Sequence, residues 1–536
     1  MTVFLRSSDD LPNSDAYKFW YAITGAKAVL GPEKRMQGAG QQLERAFEAN
    51  RENWWKIGKI LATTAGGDLA HTPTAAAFNT DFGQALAWTT VTQEAVQGND
   101  NVLVICDDPW IFRHLALLPG VRAGRAPALK RRERALWLRG ILSRTRVSLK
   151  MFLAALLLRG QRQSLPQGGP VLLVYGHPKS TADGYDVYFG TMMRDMPELT
   201  RLIHTDCPPT RARELSADGR TASLHAWGNP WFALRLAFAR WRSPNDAAGE
   251  SLRWLVRRAM ALENGTGALA MTRWQNHCHE RWLADMKPDS VAWSWENHPW
   301  ERAFVRSART AGTYTIGSQD TDVGPHQMNM ACFSNSDGMA SIPDVIICNG
   351  PAYRDELADW GTPAERLVIG GSPRIARFEG SHFDPQGPVY VALSSVPDIS
   401  KEMMTAVAAA RNGIRQFLIK EHPMYPFAVE ETDDVRRTNK TIPESTGISA
   451  VFFGTGLSGM EGLMSGAPTF RLLPRDRIGI NTMPVSWAAE PVIAERLANA
   501  LDAQPVQSDI HWEDVFSPVD MDVWRTHLLH KPEVVK

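Results

Sequence analysis

Short apolar runs recur along this chain at spacings that leave room for a helix between them, and this rhythm constrains the fold more than any other feature. Val171-Leu-Leu-Val-Tyr175, Leu202-Ile-His204, Ser290-Val-Ala-Trp293, Thr313-Tyr-Thr-Ile316 and Asp344-Val-Ile-Ile-Cys348 form one series. Arg366-Leu-Val-Ile369, Val389-Tyr-Val-Ala-Leu393, Gln416-Phe-Leu-Ile419, Ala450-Val-Phe-Phe453 and Thr469-Phe-Arg-Leu-Leu473 form a second. Runs that are apolar throughout, rather than at alternate residues, suit strands covered on both faces. Their alternation with helical stretches, such as Lys401 to Asn412 and Gly459 to Met464, implies parallel sheets.

A chain of 536 residues is too long for one ordinary core, so two or three domains are expected. The two series predict an α/β chain with two doubly wound, Rossmann-like halves over 166–350 and 351–510, facing a central cleft in the GT-B manner. Residues 511–536 read as a C-terminal helix crossing back to the N-terminal half. The region 1–165 precedes them, packed on or part of the first half. It holds a possible strand at Asn101-Val-Leu-Val-Ile-Cys106, and its pattern names no fold.

The formal net charge is zero, so no global field draws the chain to nucleic acid. Five scattered cysteines argue against a disulfide framework and for a reducing compartment. His277-Cys278-His279 has no second ligand cluster at metal spacing, and a metal site is not expected. Arg6-Ser-Ser-Asp-Asp10 is not a secretory start, and the apolar run Met151 to Leu158 is far shorter than a bilayer span, so a cytoplasmic protein is expected. Between Arg122 and Arg162 many basic residues face one acid, Glu133, with Leu136, Trp137, Leu138, Ile141 and Leu142 interleaved. Either this helix lies on an anionic membrane surface, or it packs its apolar face inward and leaves its arginines solvated.

Polar turns follow several of the runs, where parallel strands open onto a cleft. Lys420-Glu-His-Pro423 offers Lys420 and His422 to a phosphate oxygen, with Pro423 shaping the turn. Gly454-Thr-Gly-Leu-Ser-Gly459 lies between a strand and a helix: Gly454 and Gly456 permit close approach, Thr455 and Ser458 add hydroxyls, and Glu461 can accept from sugar or ribose. The glycine spacing also fits a dinucleotide fingerprint, but that motif normally opens the first strand-helix unit of its domain, and here it comes late. Ser394 and Ser395 open onto the same edge. In the first half, Glu296, its pKa raised by desolvation among aromatic neighbours, is the candidate general base. His298 is the second candidate, and Asp320 and Asp183 end nearby strands or loops. Trp274, Trp282, Trp293, Trp295 and Trp300 suggest a sugar-stacking wall.

With these residues in view, the chain resembles bacterial surface-carbohydrate biosynthesis proteins of GT-B type, in particular transferases that use CMP-activated sialic acid or 3-deoxy-manno-octulosonic acid (Kdo). Lys420-Glu-His-Pro423 is similar to their His-Pro motif, and Thr455-Gly-Leu-Ser458 with Glu461 is loosely similar to their Ser/Thr-rich motif. Glu296-Asn-His-Pro-Trp-Glu301 followed by Gly317-Ser-Gln-Asp320 looks like an acceptor-side pattern. Asp183-Gly184 departs from the paired acids before glycine found in many sialyltransferases. The resemblance implies an inverting, metal-independent glycosyltransferase without a cofactor. It would take a CMP-linked sugar donor to a glycan acceptor, possibly lipid-linked. The resemblance covers roughly residues 170–500, so peripheral membrane contact through 122–162 is an expectation from the basic helix alone. Two other readings remain open: a UDP- or CDP-linked donor, and a non-catalytic glycan-binding or assembly protein with the same fold.

Overall fold

The computed structural model describes residues 2–27, 30–74, 80–163, 165–319, 321–375, 377, 383–423, 425–487, 489–503 and 508–529. Three all-parallel sheets organise them. The first contains β1 (Val3–Arg6), β2 (Phe19–Ala22), β3 (Val102–Ile105) and β4 (Val121–Ala123) in the order β2-β3-β1-β4. The second contains β5 (Pro170–Val174), β6 (Thr200–Ile203), β7 (Thr221–Ser223), β8 (Ser290–Ser294), β9 (Tyr314–Gln319), β10 (Val345–Cys348) and β11 (Leu367–Ile369). Its order is β11-β10-β9-β8-β5-β6-β7. The third contains β12 (Val389–Ala392), β13 (Phe417–Lys420), β14 (Val435–Arg437), β15 (Ala450–Phe453), β16 (Thr469–Leu472) and β17 (Glu490–Val492), in the order β14-β13-β12-β15-β16-β17.

The second and third sheets share the doubly wound order, in which the chain starts in the middle, runs to one edge and returns to run to the other. Each therefore has a crevice where the winding reverses, between β5 and β8 and between β12 and β15. Every residue of β5, β8 and β15 is buried, as strands covered by helices on both faces require.

Two differences from the sequence reading have physical reasons. Residues 2–123 carry a sheet of their own, whose helices build a separate core around Trp54, Trp88 and Phe47. Its β2 pairs in parallel with β3, about eighty residues further along a stretch that carries several helices, a separation that local patterning does not reveal. Second, Leu367–Ile369 does not open the second half. It pairs with β10 and ends the first half, because the helix Pro351–Asp359 supplies its crossover.

The carboxyl edges of the second and third sheets face one another. Beyond β9 and β16, Thr482 donates to Asp322 at 3.4 Å, and Asn481 N–H donates to His326 Nδ1 at 2.8 Å. The first body braces both. Glu44 accepts two hydrogen bonds from Arg471 of β16, at 2.8 and 2.7 Å, while Trp55 donates to the Met328 carbonyl at 2.8 Å. The helix Met521–Leu529 returns to the second sheet, where Ser290 donates to the Leu528 carbonyl at 2.7 Å.

Candidate active site

The turn after β8 is held with unusual completeness. Asn297 has φ 55, a left-handed conformation rare outside glycine, and it is fully buried. Its amide donates to the Asn329 carbonyl at 2.6 Å and to Asn335 at 2.9 Å, and its carbonyl accepts from the buried Arg302 at 2.9 Å. Glu301, one turn into the helix Pro299–Ala311, accepts from the backbone N–H groups of both Glu296 and Asn297 at 2.9 Å. Burial pushes the Glu301 carboxyl up to about 7, with the Glu296 charge adding to the rise. Asparagine tolerates this conformation, and the contacts around Asn297 fix the turn at a crevice between strands.

What the turn presents is a carboxylate–imidazole pair, Glu296 Oε2 and His298 Nε2, 2.6 Å apart. Burial opposes both charges, yet the hydrogen bond prevails: the Glu296 carboxyl lies below its ordinary range and the His298 ring above its own. Desolvation therefore does not raise Glu296, contrary to the sequence expectation, because a histidine two residues along neutralises it. His71, of the first body, stands 6.4 Å from the His298 ring and is pushed down to about 4 by burial and by His298.

On the facing edge, Ser394 and Thr455 meet, their hydroxyls 3.2 Å apart across the β12–β15 crevice. Gly454 permits this closeness, since a Cβ there would come within 2.8 Å of the Ser394 Cβ. Gly456 follows with φ 91. Ser395 and Ser458 are half-buried beside them. Lys420, at the end of β13, donates to the Asn439 carbonyl, and its charge reaches Glu461. His422 lies one strand from the crevice, its ring 5.9 Å from that of Tyr425 and its pKa lowered by burial, so it is a neutral donor at pH 7. Pro423 is exposed. Glu461 makes no side-chain hydrogen bond among the described residues, and burial with the nearby Asp322 charge pushes it up to about 7.

Two sequence candidates, Asp183 and the tryptophan wall, do not join this group. Asp183 is exposed and ion-paired to Arg194 at 2.7 Å, with hydrogen bonds from Thr181 and Arg194 holding its pKa down. Asp320 lies outside the described residues. The five tryptophans form no stacking wall: Trp274, Trp282, Trp293, Trp295 and Trp300 are buried in the core beneath the second sheet. His277 stacks on Phe232 at 3.9 Å, and among the described residues no three His, Cys, Asp or Glu side chains converge as a metal cluster.

The sequence reading missed Arg374 and Asp322. Arg374 follows β11, and its charge acts on Glu296 and Asp322 at its own edge and on Glu461 at the other. Burial pushes Asp322 up to about 6, against the pull of Arg374. The turn Gly370-Gly-Ser-Pro-Arg374 carries a legible signal, but only once β11 is assigned to the first half.

Two doubly wound parallel sheets whose carboxyl edges share one cleft define the GT-B class of architecture. A scan against protein-family models finds no match, and a search of curated proteins finds none either. Among solved structures the chain is similar to a UDP-N-acetylglucosamine 2-epimerase at 11% identity, covering 69% of this chain and 99% of that one with a TM-score of 0.36. It is similar to the calicheamicin glycosyltransferase CalG4 at 12% identity, covering 63% and 89% with a TM-score of 0.37. It is also similar to UGT89C1 of Arabidopsis thaliana at 14% identity, covering 63% and 91% with a TM-score of 0.36. Likeness this distant bears on neither donor nor acceptor.

Proposed function

We propose that this chain is an inverting, metal-independent glycosyltransferase of the cytoplasm that moves a CMP-activated acidic sugar, a nonulosonic acid or Kdo, onto a bacterial surface glycan. What supports this reading is the pair of facing edges, with Glu296 and His298 in contact on one and Ser394 and Thr455 on the other, and Arg374, its guanidinium over the Tyr188 ring at 5.5 Å, just past β11. A donor bridging the two edges has its anomeric centre between them. Ser394, Thr455 and Lys420 hold the phosphate, and neutral His422 donates a ring N–H to it. Glu461 accepts from ribose hydroxyls, and Arg374 pairs with the sugar carboxylate.

In the reaction, an acceptor hydroxyl oxygen forms its bond to the anomeric carbon while the bond from that carbon to the phosphate oxygen breaks. The electron pair leaves with CMP, and the hydroxyl proton passes to Glu296. His298 holds the second Glu296 oxygen, and the Asn297 and Glu301 contacts keep the carboxylate aimed. Stabilising the departing phosphate by fixed donors lowers the barrier by electrostatics alone.

The test combines binding and turnover. CMP should raise the melting temperature more than CDP or UDP does, and transfer from CMP-sugars should fall by about 10² or more in Glu296→Gln. A larger shift with UDP or CDP would move the donor assignment to a diphosphate. Intact glycan binding with no transfer from any nucleotide sugar would make the chain a binding protein instead.

A further inference from the structure

The helix Leu129–Leu158 has two apolar stripes, and the core uses only one of them. Leu136, Gly140, Arg144, Ser148, Met151 and Ala155 follow the helical repeat on the inner side and are buried. Leu138, Leu142, Leu149, Leu153 and Leu156 follow it on the opposite side and are exposed, Leu142 by 72%. The apolar surface continues onto the adjoining turns of Pro230–Phe238, where Trp231 is 71% and Phe238 80% exposed and the Phe152 and Trp231 rings stand 6.3 Å apart. A contiguous leucine and aromatic surface of this kind marks an interaction site on a folded protein.

Charge says what covers it. Arg131, Arg132, Arg139, Arg146 and Lys150 flank the leucine row and are all exposed, and Arg235 is exposed on the adjoining helix. The sole acid of the long helix, Glu133, is half-buried and tied to Arg257 at 3.2 Å. No helix among the described residues is long and apolar enough to cross a membrane. An apolar row with a cationic rim fits a bilayer interface, with leucines in the acyl boundary and guanidinium groups among anionic headgroups.

We propose that the outer face of Leu129–Leu158, with Trp231 and Phe238, docks this protein flat on an anionic lipid surface. This stands independently of what the cleft transfers.

The experiment is co-sedimentation of the full chain with phosphatidylcholine vesicles and with vesicles in which about one third of the lipid is phosphatidylglycerol. Binding is expected to the anionic vesicles and to weaken as salt is raised. The pair Leu142→Glu and Leu149→Glu should abolish it. The pair Arg132→Gln and Arg146→Gln should weaken it by about 25-fold, near fivefold for each charge. All four positions are exposed, so the melting temperature should not move. Equal binding or none with both vesicles would overturn the proposal. So would a dimer or higher oligomer in solution that the Leu142→Glu, Leu149→Glu variant dissolves, since a second copy would then cover the face.

Discussion

At the scale of single residues, opposite charges and burial divide the work between the two edges. Glu296 and His298 hold each other charged, so the carboxylate is present throughout the neutral range. Glu461 is poised near neutrality by burial. Because its folded pKa of about 7 exceeds the ordinary 4.5, its contribution to stability is fully present below about pH 4.5 and is lost as the pH rises through 7. Glu461→Gln should therefore be more stable than the native chain at pH 8 by about 2 kcal/mol, with the advantage gone at pH 5, as denaturant melts at the two pH values would show. Equal melts at both would place Glu461 in water. That Ser394 and Thr455 open onto one edge was legible because each lies two residues past an unmistakable buried strand. Arg374 was not, because its strand was assigned to the wrong half, and the direction of the Glu296 shift turned on a ring orientation that no spacing encodes.

At the scale of elements, the inner strands of the two Rossmann-like halves announce themselves through continuous apolar runs, whereas most edge strands, β11 excepted, do not. β4, β7, β14 and β17 have three residues each, too few to carry a period, and β17 contains Glu490 and Pro491. Strand existence was thus legible in both Rossmann-like halves, while sheet membership depended on crossovers. The crevice between β12 and β15 is a matter of element spacing: Gly454 lets the two loops touch. Gly454→Ala, whose Cβ would sit 2.8 Å from that of Ser394, should cost about 1–3 kcal/mol in a urea melt and weaken nucleotide binding, as titration calorimetry would read. Unchanged affinity alongside lowered stability would place the nucleotide elsewhere.

At the scale of the whole molecule, the N-terminal body acts as a brace across two facing sheets. The Arg471 guanidinium is buried, and Glu44 is its carboxylate partner at 2.7 Å. Glu44→Ala should therefore cost about 3–5 kcal/mol by stranding a buried charge, and should lower turnover along with stability. A double variant with Arg471→Met should recover much of the stability, which would separate the stranded charge from a loss of packing. Nothing in the composition or periodicity of residues 1–165 revealed this role, because the contacts that create it join residues hundreds of positions apart.

The central claim, that the two carboxyl edges form one nucleotide-sugar cleft, is met most directly by hydrogen–deuterium exchange of the full chain with and without CMP. Protection is expected at 393–396, 420–423 and 454–461 on one edge, and at 296–298 and 372–375 on the other when donor replaces CMP. Protection confined to some other surface, or to one edge even with donor bound, would contradict it.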